Sequence, residues 1–415
     1  MSRTPLGMFT QYKGLPKQIY LLLAARVVSA LGAFVYAILA LFLSSRLGFD
    51  DLAISRYMLL MAAINVPAAL LGGKLADMFS RKKVYITVIL ISNVFYLLTG
   101  FNCESVTAVW LMLGGMAFMN MSMPVLSAMM MDLTTPQNRQ ESFSLIYLGY
   151  NLGHAIGPLI AGLLFENHLQ WIFWGQALTS TLSMILVAFV IKDTTPDKAA
   201  IAAIAADASR AKERASEGSV LRHLVQNPIV LFFFIGAIVF AVGYAQLSYI
   251  LPLNMRQLFG DMSARYYSVV WSINGAVVAF TSPLLVYLSK KRSPLFNMAI
   301  SGIMYAVGFG IYAFSTSLPL IWLLAISWSA GEVMSTTNTG VFIANHAPVS
   351  HRARFQSMFD ITKSAGRAIG PMIMGIFLQN RTYAQGWILT AILCFAAVGL
   401  FFGMFAYERR HSSAL

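Results

Sequence analysis

Residues 153–164 read GHAIGPLIAGLL, and residues 366–377 read GRAIGPMIMGIF. The two stretches are identical at seven of twelve positions, and the second begins 213 residues after the first in a chain of 415. The same offset pairs Arg139 with Arg352. A sequence that recurs at half the length of an apolar chain predicts two similar membrane-embedded bundles.

The composition is typical of a polytopic membrane protein. Of the 415 residues, 58% are apolar and only 11% are charged, whereas a soluble domain has about 25% charged residues. The apolar runs are each roughly 18–27 residues long, enough to cross a hydrocarbon core of ~30 Å. We predict an all-α membrane protein with twelve transmembrane helices, arranged as two six-helix bundles related by a pseudo-twofold axis. The predicted spans are 17–44, 52–73, 84–101, 105–132, 141–165, 169–191, 228–253, 264–289, 294–315, 318–344, 355–378 and 384–407.

The net charge of +13 is distributed unevenly between the two sides of these spans. Most Lys and Arg residues fall in the loops of one side, which the positive-inside rule identifies as cytoplasmic. Both termini are then cytoplasmic, the basic side attracts anionic membrane lipids, and nucleic-acid binding is not expected. We expect an integral, monomeric protein of the bacterial cytoplasmic (inner) membrane. Cys103 and Cys394 do not have a spacing typical of a metal site.

The longest polar stretch predicts the domain boundaries. Residues 192–227 separate an N-terminal six-helix bundle, 1–191, from a C-terminal one, 228–415. The Ala-rich segment 201–218 within this cytoplasmic linker is interpreted as a surface helix, and a disordered linker is the alternative. Both copies of the repeat run in the same direction through the membrane. This predicts parallel repeats that rock against each other in alternating access.

The segment that follows the second span carries a recognisable motif. It reads GGKLADMFSRKK over residues 72–83 and resembles the loop 2–3 motif of the major facilitator superfamily, G-x-L-A-D-R-x-G-R-[KR]. Met78 replaces the usual Arg, and Ser80 replaces the usual Gly. The alternative interpretation of this segment is an ordinary cytoplasmic loop whose basic residues follow the positive-inside rule. The matching residues are Gly73, Leu75, Ala76, Asp77, Arg81 and Lys82.

The resemblance implies a conformational latch at this loop. Asp77 is expected to cap the start of span 11, where helix N-terminal amides favour an anion, and Arg81 is expected to pair with Asp132. Such contacts form in one conformation and break in the other. The predicted latch residues are Gly73, Asp77, Arg81, Asp132 and Asp360.

The repeated element in span 5 has two interpretations. Gly153-x-x-x-Gly157-Pro158-x-x-Ala161-Gly162 resembles an element of the superfamily's antiporters. Small residues at this spacing are also typical of ordinary tight helix packing, and the copy in span 11 makes duplicated packing an equal alternative. The residues assigned to helix packing are Gly153, Gly157, Pro158, Gly162, Gly370 and Pro371.

Ionisable residues inside the predicted spans are the strongest functional signal, because such groups are costly in a membrane. At 1.5 Å per residue, five of them lie roughly 12–20 Å from the cytoplasmic ends of their spans. They are Arg26, His154, Glu332, Lys363 and Arg367. This layer near the midplane is where such transporters bind substrate.

Glu332 is the predicted proton-coupling residue, since it is the single carboxylate near the centre. The resemblance supports this, because the drug antiporters of the superfamily that lack an arginine in span 4 often carry an acidic residue in span 10. The alternative is a structural salt bridge to Arg26 or to a cation of span 11. His154 is assigned either to proton coupling or to a hydrogen-bonded core position. Asp360 and Lys363 are close enough along a helix to pair.

The predicted cargo is an amphiphilic small molecule, exported by proton-coupled antiport of the multidrug type. The alternative is a transporter of an anionic or zwitterionic solute, such as a lysolipid, peptide or metallophore-like molecule, because the midplane cations outnumber the carboxylate. No nucleotide-binding loop, cofactor motif or metal set occurs, so a proton gradient is the expected energy source, and an enzyme is not expected. The predicted cavity residues are Arg26, Tyr36, Met119, Asn120, Met123, Tyr244, Gln246, Tyr249, Asn338, Lys363 and Arg367.

Overall fold

The computed structural model describes residues 12–135, 138–194, 228–290, 292–346 and 352–412. Nearly all of these residues are helical, and none of them is in a strand. The all-α membrane fold is therefore confirmed. The helices are α1 (Lys17–Leu31), α2 (Phe34–Ser45), α3 (Asp51–Met78), α4 (Arg81–Phe101), α5 (Thr107–Asp132), α6 (Arg139–Leu164), α7 (Leu169–Val190), α8 (Pro228–Ala245), α9 (Ile250–Phe259), α10 (Ser263–Ser289), α11 (Pro294–Tyr312), α12 (Leu318–His346), α13 (Arg352–Leu378) and α14 (Tyr383–Ser412).

The lengths of these helices suit a membrane. Within the described residues, nine segments are long and apolar enough to cross one. One of the nine, Pro228–Ser282, has 55 residues and contains α8, α9 and most of α10. Helices α6 and α13 are not among the nine, although they have 26 and 27 residues, because their sequences are more polar. The count of twelve spans stays a prediction.

Two predicted spans are interrupted rather than continuous. The first consists of α1 and α2, which are separated at Gly32 and Ala33. A Cβ atom on Gly32 would lie 1.7 Å from Oγ1 of Thr179, so the close approach of α7 requires glycine. The seventh consists of α8 and α9, which a turn at 246–249 separates, and it continues to Phe259. Each break lies within one continuous apolar segment, Lys17–Ser45 or Pro228–Ser282, so hydropathy alone does not predict it.

The connection between α3 and α4 is short even though the motif's second glycine is replaced. Ser80 is the N-cap of α4, and its Oγ accepts a hydrogen bond of 3.2 Å from the backbone N of Lys83. Such a cap stabilises a helix start by about 1 kcal/mol. At the position where the motif has glycine, the side chain of Ser80 thus stabilises the start of α4.

The chain divides into two compact units. The first unit contains the described parts of Met1–Gly48, Leu60–Ile201 and Tyr267–Gly275, and the second contains those of Phe49–Leu59, Ala202–Tyr266 and Ala276–Leu415. Helices α3 and α10 each contribute to both units. The domain boundaries at 191 and 228 stay predictions, and the predicted surface helix at 201–218 lies outside the described residues.

In the first unit, α4 packs against α5 and α7, and α1 packs against α6 and α7. Glycines bring α6 close to α1. A Cβ atom on Gly153 would lie 2.5 Å from Cβ of Ala30, and one on Gly157 would lie 2.7 Å from the carbonyl O of Leu31. Pro158 lies inside α6 without ending it.

The second unit uses the repeated element in the same way. Here α13 packs against α8, while α11 packs against α12 and α14. A Cβ atom on Gly366 would lie 2.7 Å from Cβ of Ala241, and one on Gly370 would lie 3.0 Å from the carbonyl O of Val242. In both units, therefore, the repeated glycines place two helices in close contact.

Candidate functional site

The second unit contains a small cavity between α8, α11, α12 and α13. Its volume is about 30 Å³, which is enough for a water molecule. Each of the four helices contributes at least one polar or charged residue to its lining. The lining residues are Ala237, Phe240, Ala241, Tyr244, Met298, Tyr305, Glu332, Ser335, Thr336, Phe359, Lys363 and Arg367.

Glu332 is the carboxylate among these lining residues. It is half-buried on α12, and its side chain is close enough to the hydroxyl of Tyr244 on α8 for the two to interact. Because a tyrosine hydroxyl can donate to a carboxylate and also accept from a protonated one, this contact is compatible with both protonation states of Glu332.

Helix α11 holds the Glu332 segment of α12 in place. The hydroxyl of Ser301, which is fully buried, donates a hydrogen bond of 2.7 Å to the carbonyl O of Gly331. A Cβ atom on Gly331 would lie 3.0 Å from the carbonyl O of Ser301, so the two helices are in close contact there. One turn after Glu332, the side chain of Ser335 interacts with that of Tyr305 on α11.

The two cations of the cavity lie on α13. The guanidinium carbon of Arg367 is 5.0 Å from the ring centroid of Tyr244, and Nζ of Lys363 is 5.7 Å from the ring centroid of Phe359. Lys363 interacts electrostatically with Glu332 and also with Arg367. Tyr244 therefore contacts the carboxylate through its hydroxyl and a cation through its ring.

The charge balance of this cavity is positive. Among its lining residues, two cations, Lys363 and Arg367, face one carboxylate, Glu332. Asp360, which also interacts with Lys363, is exposed on α13 and is not a lining residue. Protonation of Glu332 would leave the two positive charges without the carboxylate's compensation.

A second charged cluster lies in the first unit. Nη1 of Arg26 on α1 is 3.1 Å from Sδ of Met123 on α5, and its guanidinium carbon is 4.4 Å from the ring centroid of Tyr150 on α6. The rings of Tyr150 and His154 meet edge to face, with centroids 4.3 Å apart. Nδ1 of His154 is buried and has no hydrogen-bond partner among the described residues. We call these four residues the Arg26 cluster.

Three residues of the predicted cavity set are buried in packed positions. Gln246 and Tyr249 have no exposed surface, and Asn338 is 5% exposed. Gln246 donates to the carbonyl O of Val242, at the break that follows α8, and Asn338 accepts from Asn297 of α11 at 2.8 Å. The hydrogen bonds of these side chains are made with the backbone or with a side chain of an adjacent helix. None of the three residues lines the cavity described above.

The remaining three predicted cavity residues, Tyr36, Met119 and Asn120, belong to the first unit. Met119 packs against the apolar core of that unit, and Nδ2 of Asn120 donates to the carbonyl O of Met116 in its own helix. Tyr36 is 49% exposed on α2. Within the described residues, none of the three forms a hydrogen bond with the Arg26 cluster.

The predicted latch residues are partly paired. Arg81 of α4 forms an ion pair with Asp132 of α5 and also donates to the carbonyl O of Ala128 at 2.9 Å. Asp77 is exposed near the end of α3 and interacts electrostatically with Arg81. The cap that Asp77 is expected to form on span 11 stays a prediction, as does the latch role of all five residues.

Sequence reasoning misses several residues of these sites. Tyr150, Ser301 and Tyr305 are ordinary members of apolar helices, and no spacing distinguishes them. The superfamily motif also matches the chain at Gly73, whereas the glycine that the packing requires is its neighbour Gly72. A Cβ atom on Gly72 would lie 2.2 Å from the carbonyl O of Met121, whereas one on Gly73 would meet only Cβ of Pro124 at 3.8 Å.

The sequence profile of the Major Facilitator Superfamily matches residues 22–371. The chain belongs to this superfamily. The match covers more than half of the chain and spans helices from both units. Members of the superfamily are transporters, so the chain is a membrane transporter with an integral membrane location.

Curated relatives of this superfamily member cover most of the chain at low identity. It is 24% identical to the uncharacterized MFS-type transporter YhjO of Bacillus subtilis, over 85% of the chain and 84% of the relative. It is 21% identical to a Na⁺, Li⁺, K⁺/H⁺ antiporter of Planococcus maritimus, over 81% and 83%. It is 23% identical to the proton-coupled antiporter flippase LtaA of Staphylococcus epidermidis, over 66% of each chain.

Solved structures support the same superfamily fold. The chain aligns with the crystal structure of a mutant form of the peptide transporter POT with a TM-score of 0.76 and 16% identity. The alignment covers 99% of each chain. At this identity the likeness is one of fold.

Proposed function

We propose that this chain is a proton-coupled secondary transporter that exports amphiphilic small molecules by alternating access, and that Glu332 carries the coupling proton. The observation that carries the proposal is that Glu332 and Tyr244 line one cavity together with Lys363 and Arg367, and that Glu332 interacts with Tyr244 and with Lys363. Three helices thus meet at one ionisable group. A change in its protonation alters contacts to all three, which is how a local charge can bias a two-state equilibrium.

The charges of the cavity indicate the kind of cargo. With Glu332 ionised, the cavity carries a net charge of one positive unit from its lining residues, and with Glu332 protonated it carries two. Like charges repel strongly where the dielectric constant is low. The cavity itself has room only for water, but the field of its positive charge favours an anionic or zwitterionic amphiphile over a cationic drug nearby.

The curated relatives support proton exchange as the energy source. Two of them are named as antiporters that use protons, and one of these is named a flippase. A flippase moves amphiphilic lipids, which agrees in chemical class with the cargo proposed here. The second candidate function is export of cationic drugs by the same route. The carboxylate of Glu332 would attract a cation if Glu332 separated from its present partners.

The test is proton flux in proteoliposomes with an imposed pH gradient. The purified chain is reconstituted with a pH-sensitive dye inside, and three solutes are added in turn: a cationic dye, a zwitterionic lysophospholipid and a single-chain alkyl phosphate. We expect the second or third solute to move protons. Proton movement with the cationic dye alone would contradict the proposed cargo, and no movement with any amphiphile would contradict the coupling.

A further inference from the structure

We propose that the Arg26 cluster binds the phosphate or carboxylate group of an amphiphilic molecule. The inference rests on the proposed function, because it names the charged group of the cargo. It assigns to the first unit a binding role that is separate from the proton-carrying role of Glu332 in the second unit.

The bonding of Arg26 is the first argument. A guanidinium has five N–H donors and no acceptor atom. The described residues offer these donors one weak acceptor, Sδ of Met123 at 3.1 Å, and the ring face of Tyr150 at 4.4 Å. Neither group is negatively charged, and no carboxylate or carbonyl oxygen of the described chain hydrogen-bonds with Arg26.

The position of Arg26 makes this arrangement costly without a ligand. Its side chain is half-buried, near the middle of an apolar helix. A cation in such surroundings is unfavourable unless an opposite charge compensates it, and a cation–π contact provides only a small part of that compensation. A carboxylate or phosphate would supply two oxygens in the geometry that a guanidinium prefers.

His154 supplies a second polar atom to the same place. It lies one helical turn after Tyr150 on α6, and its ring is near enough to Arg26 for the two to interact electrostatically. Its buried Nδ1 has no hydrogen-bond partner among the described residues. In the tautomer that carries a proton at Nδ1, this atom is a donor without an acceptor, and an anion would satisfy it.

The internal repeat shows how the first unit differs from the second. The offset of 213 residues places Tyr150 opposite Lys363, His154 opposite Arg367 and Met119 opposite Glu332. The second unit therefore has its own carboxylate to compensate its cations, whereas the first unit has a methionine at that position. The charge of Arg26 is left for a ligand to neutralise.

The apolar surroundings of the cluster indicate that the anion belongs to an amphiphile. Met123, which contacts Arg26, is partly exposed, and so is Met119 one turn earlier on α5. Flexible methionine side chains adapt to varied apolar groups. A polar inorganic ion would leave the exposed parts of these two methionines uncovered, whereas an alkyl chain would cover them.

The test measures binding to the full-length chain in neutral detergent, without a pH gradient. The probes are dodecyl phosphate, a neutral dodecyl glycoside of equal chain length, and inorganic phosphate. The variants are Arg26→Gln, Arg26→Lys and the control Lys83→Gln, which removes an exposed cation at the start of α4. Their melting temperatures are measured without ligand.

We expect the wild type to bind dodecyl phosphate at least about tenfold more tightly than the neutral glycoside, the difference that one charge-assisted contact typically makes. Arg26→Gln should remove this preference, Arg26→Lys should keep part of it, and Lys83→Gln should keep all of it. Arg26→Gln should also melt at the same or a higher temperature than the wild type, because it removes an uncompensated cation.

Three results would overturn the inference. The first is equal binding of both dodecyl probes by the wild type, and the second is full preference for the phosphate in Arg26→Gln. The third is competition by inorganic phosphate at the same concentration as dodecyl phosphate, which would make the site one for a free anion. None of these depends on proton coupling. A failure of the coupling proposal is seen separately, in the proton-flux measurement, because the binding measurement uses no pH gradient.

Discussion

The hydroxyl of Tyr383 donates a hydrogen bond of 2.8 Å to Oδ2 of Asp51, so that the first residue of α14 contacts the first residue of α3. Tyr249 donates to the backbone O of the same aspartate at 2.6 Å. Close to these contacts, a Cβ atom on Gly375 would lie 2.3 Å from Oγ of Ser55. Together they account for the assignment of Phe49–Leu59 to the second unit, although most of α3 belongs to the first.

Tyr383→Phe should lower the melting temperature of the purified protein. A hydrogen bond to a charged group contributes about 1.5–3 kcal/mol, and the substitution removes it without changing the size of the ring. The measurement is thermal unfolding followed by intrinsic fluorescence in detergent. Tyr36→Phe is the control, because Tyr36 is exposed, and it should melt like the wild type. Equal melting of both variants and the wild type would show that the Asp51 contact contributes nothing to stability.

Glu332→Gln should keep the protein folded but abolish uphill, proton-driven transport. The amide preserves the size of the side chain and its capacity to hydrogen-bond, yet it cannot exchange a proton at physiological pH. Counterflow without a gradient should persist, and this separates coupling from binding. The control Asp261→Asn changes an exposed carboxylate and should transport normally. Retention of proton-driven export by Glu332→Gln would remove this residue from the mechanism.

Gly153→Ala should destabilise the protein strongly, whereas Gly399→Ala should not. The new methyl group at 153 would meet Cβ of Ala30 at 2.5 Å and the backbone of Leu31 at 2.9 Å, while nothing lies within 4 Å of a Cβ atom at 399. At 399, alanine removes the helix penalty of glycine, about 1 kcal/mol. Melting temperatures of the two variants provide the comparison. A loss at 399 as large as that at 153 would contradict the packing argument.

Arg81→Gln, Asp132→Asn and their double variant should slow transport by similar factors without changing which solutes are moved. The two side chains form one ion pair, so removing either partner removes the same interaction, and the double variant should be no slower than the singles. Asp77→Asn should also slow cycling. The measurement is the initial rate for a series of solutes. A changed order of preference among those solutes would show that this loop takes part in selection.

Cys103 and Cys394 should react slowly with maleimide in the folded protein. Cys103 is 9% exposed and Cys394 is fully buried. Burial and the neighbouring Glu104 raise the pKa of the Cys103 thiol, so less of the reactive thiolate is present at neutral pH than in an exposed cysteine. Labelling of Cys103 should therefore accelerate as the pH rises above the ordinary thiol pKa of about 8.5. The denatured protein is the control, and native protein that reacts equally fast at pH ~7 would contradict the effect of burial.

Much of the fold can be predicted from the sequence, because long apolar runs have few alternatives in a membrane. The all-α class and the superfamily are confirmed, and the predicted helix bounds differ from the observed ones by a few residues at most positions. The breaks at Gly32 and at 246–249 are not predicted. They depend on how closely a neighbouring helix approaches, and residue hydropathy contains no information about that distance.

The candidate site can be predicted only through its charges. Glu332, Lys363 and Arg367 are identified because ionisable groups are conspicuous in apolar helices, and the structure brings them to one cavity. Uncharged polar residues are harder to assign. Asn338 and Gln246 are as polar as residues that line the cavity, but their hydrogen bonds go to Asn297 and to the backbone, and only the packing of the helices determines which partner is in reach.

The interruption of the first helix in each half has a mechanical consequence. Helix α2 has 12 residues and α9 has 10, so at 1.5 Å per residue each is only about 15–18 Å long and cannot cross a bilayer by itself. Each is joined to a longer partner by a few residues with i to i+3 hydrogen bonds. We expect each joint to bend more easily than a continuous helix, because its turn lacks the regular i to i+4 hydrogen bonds. A bend there would move ten or twelve residues instead of a complete helix.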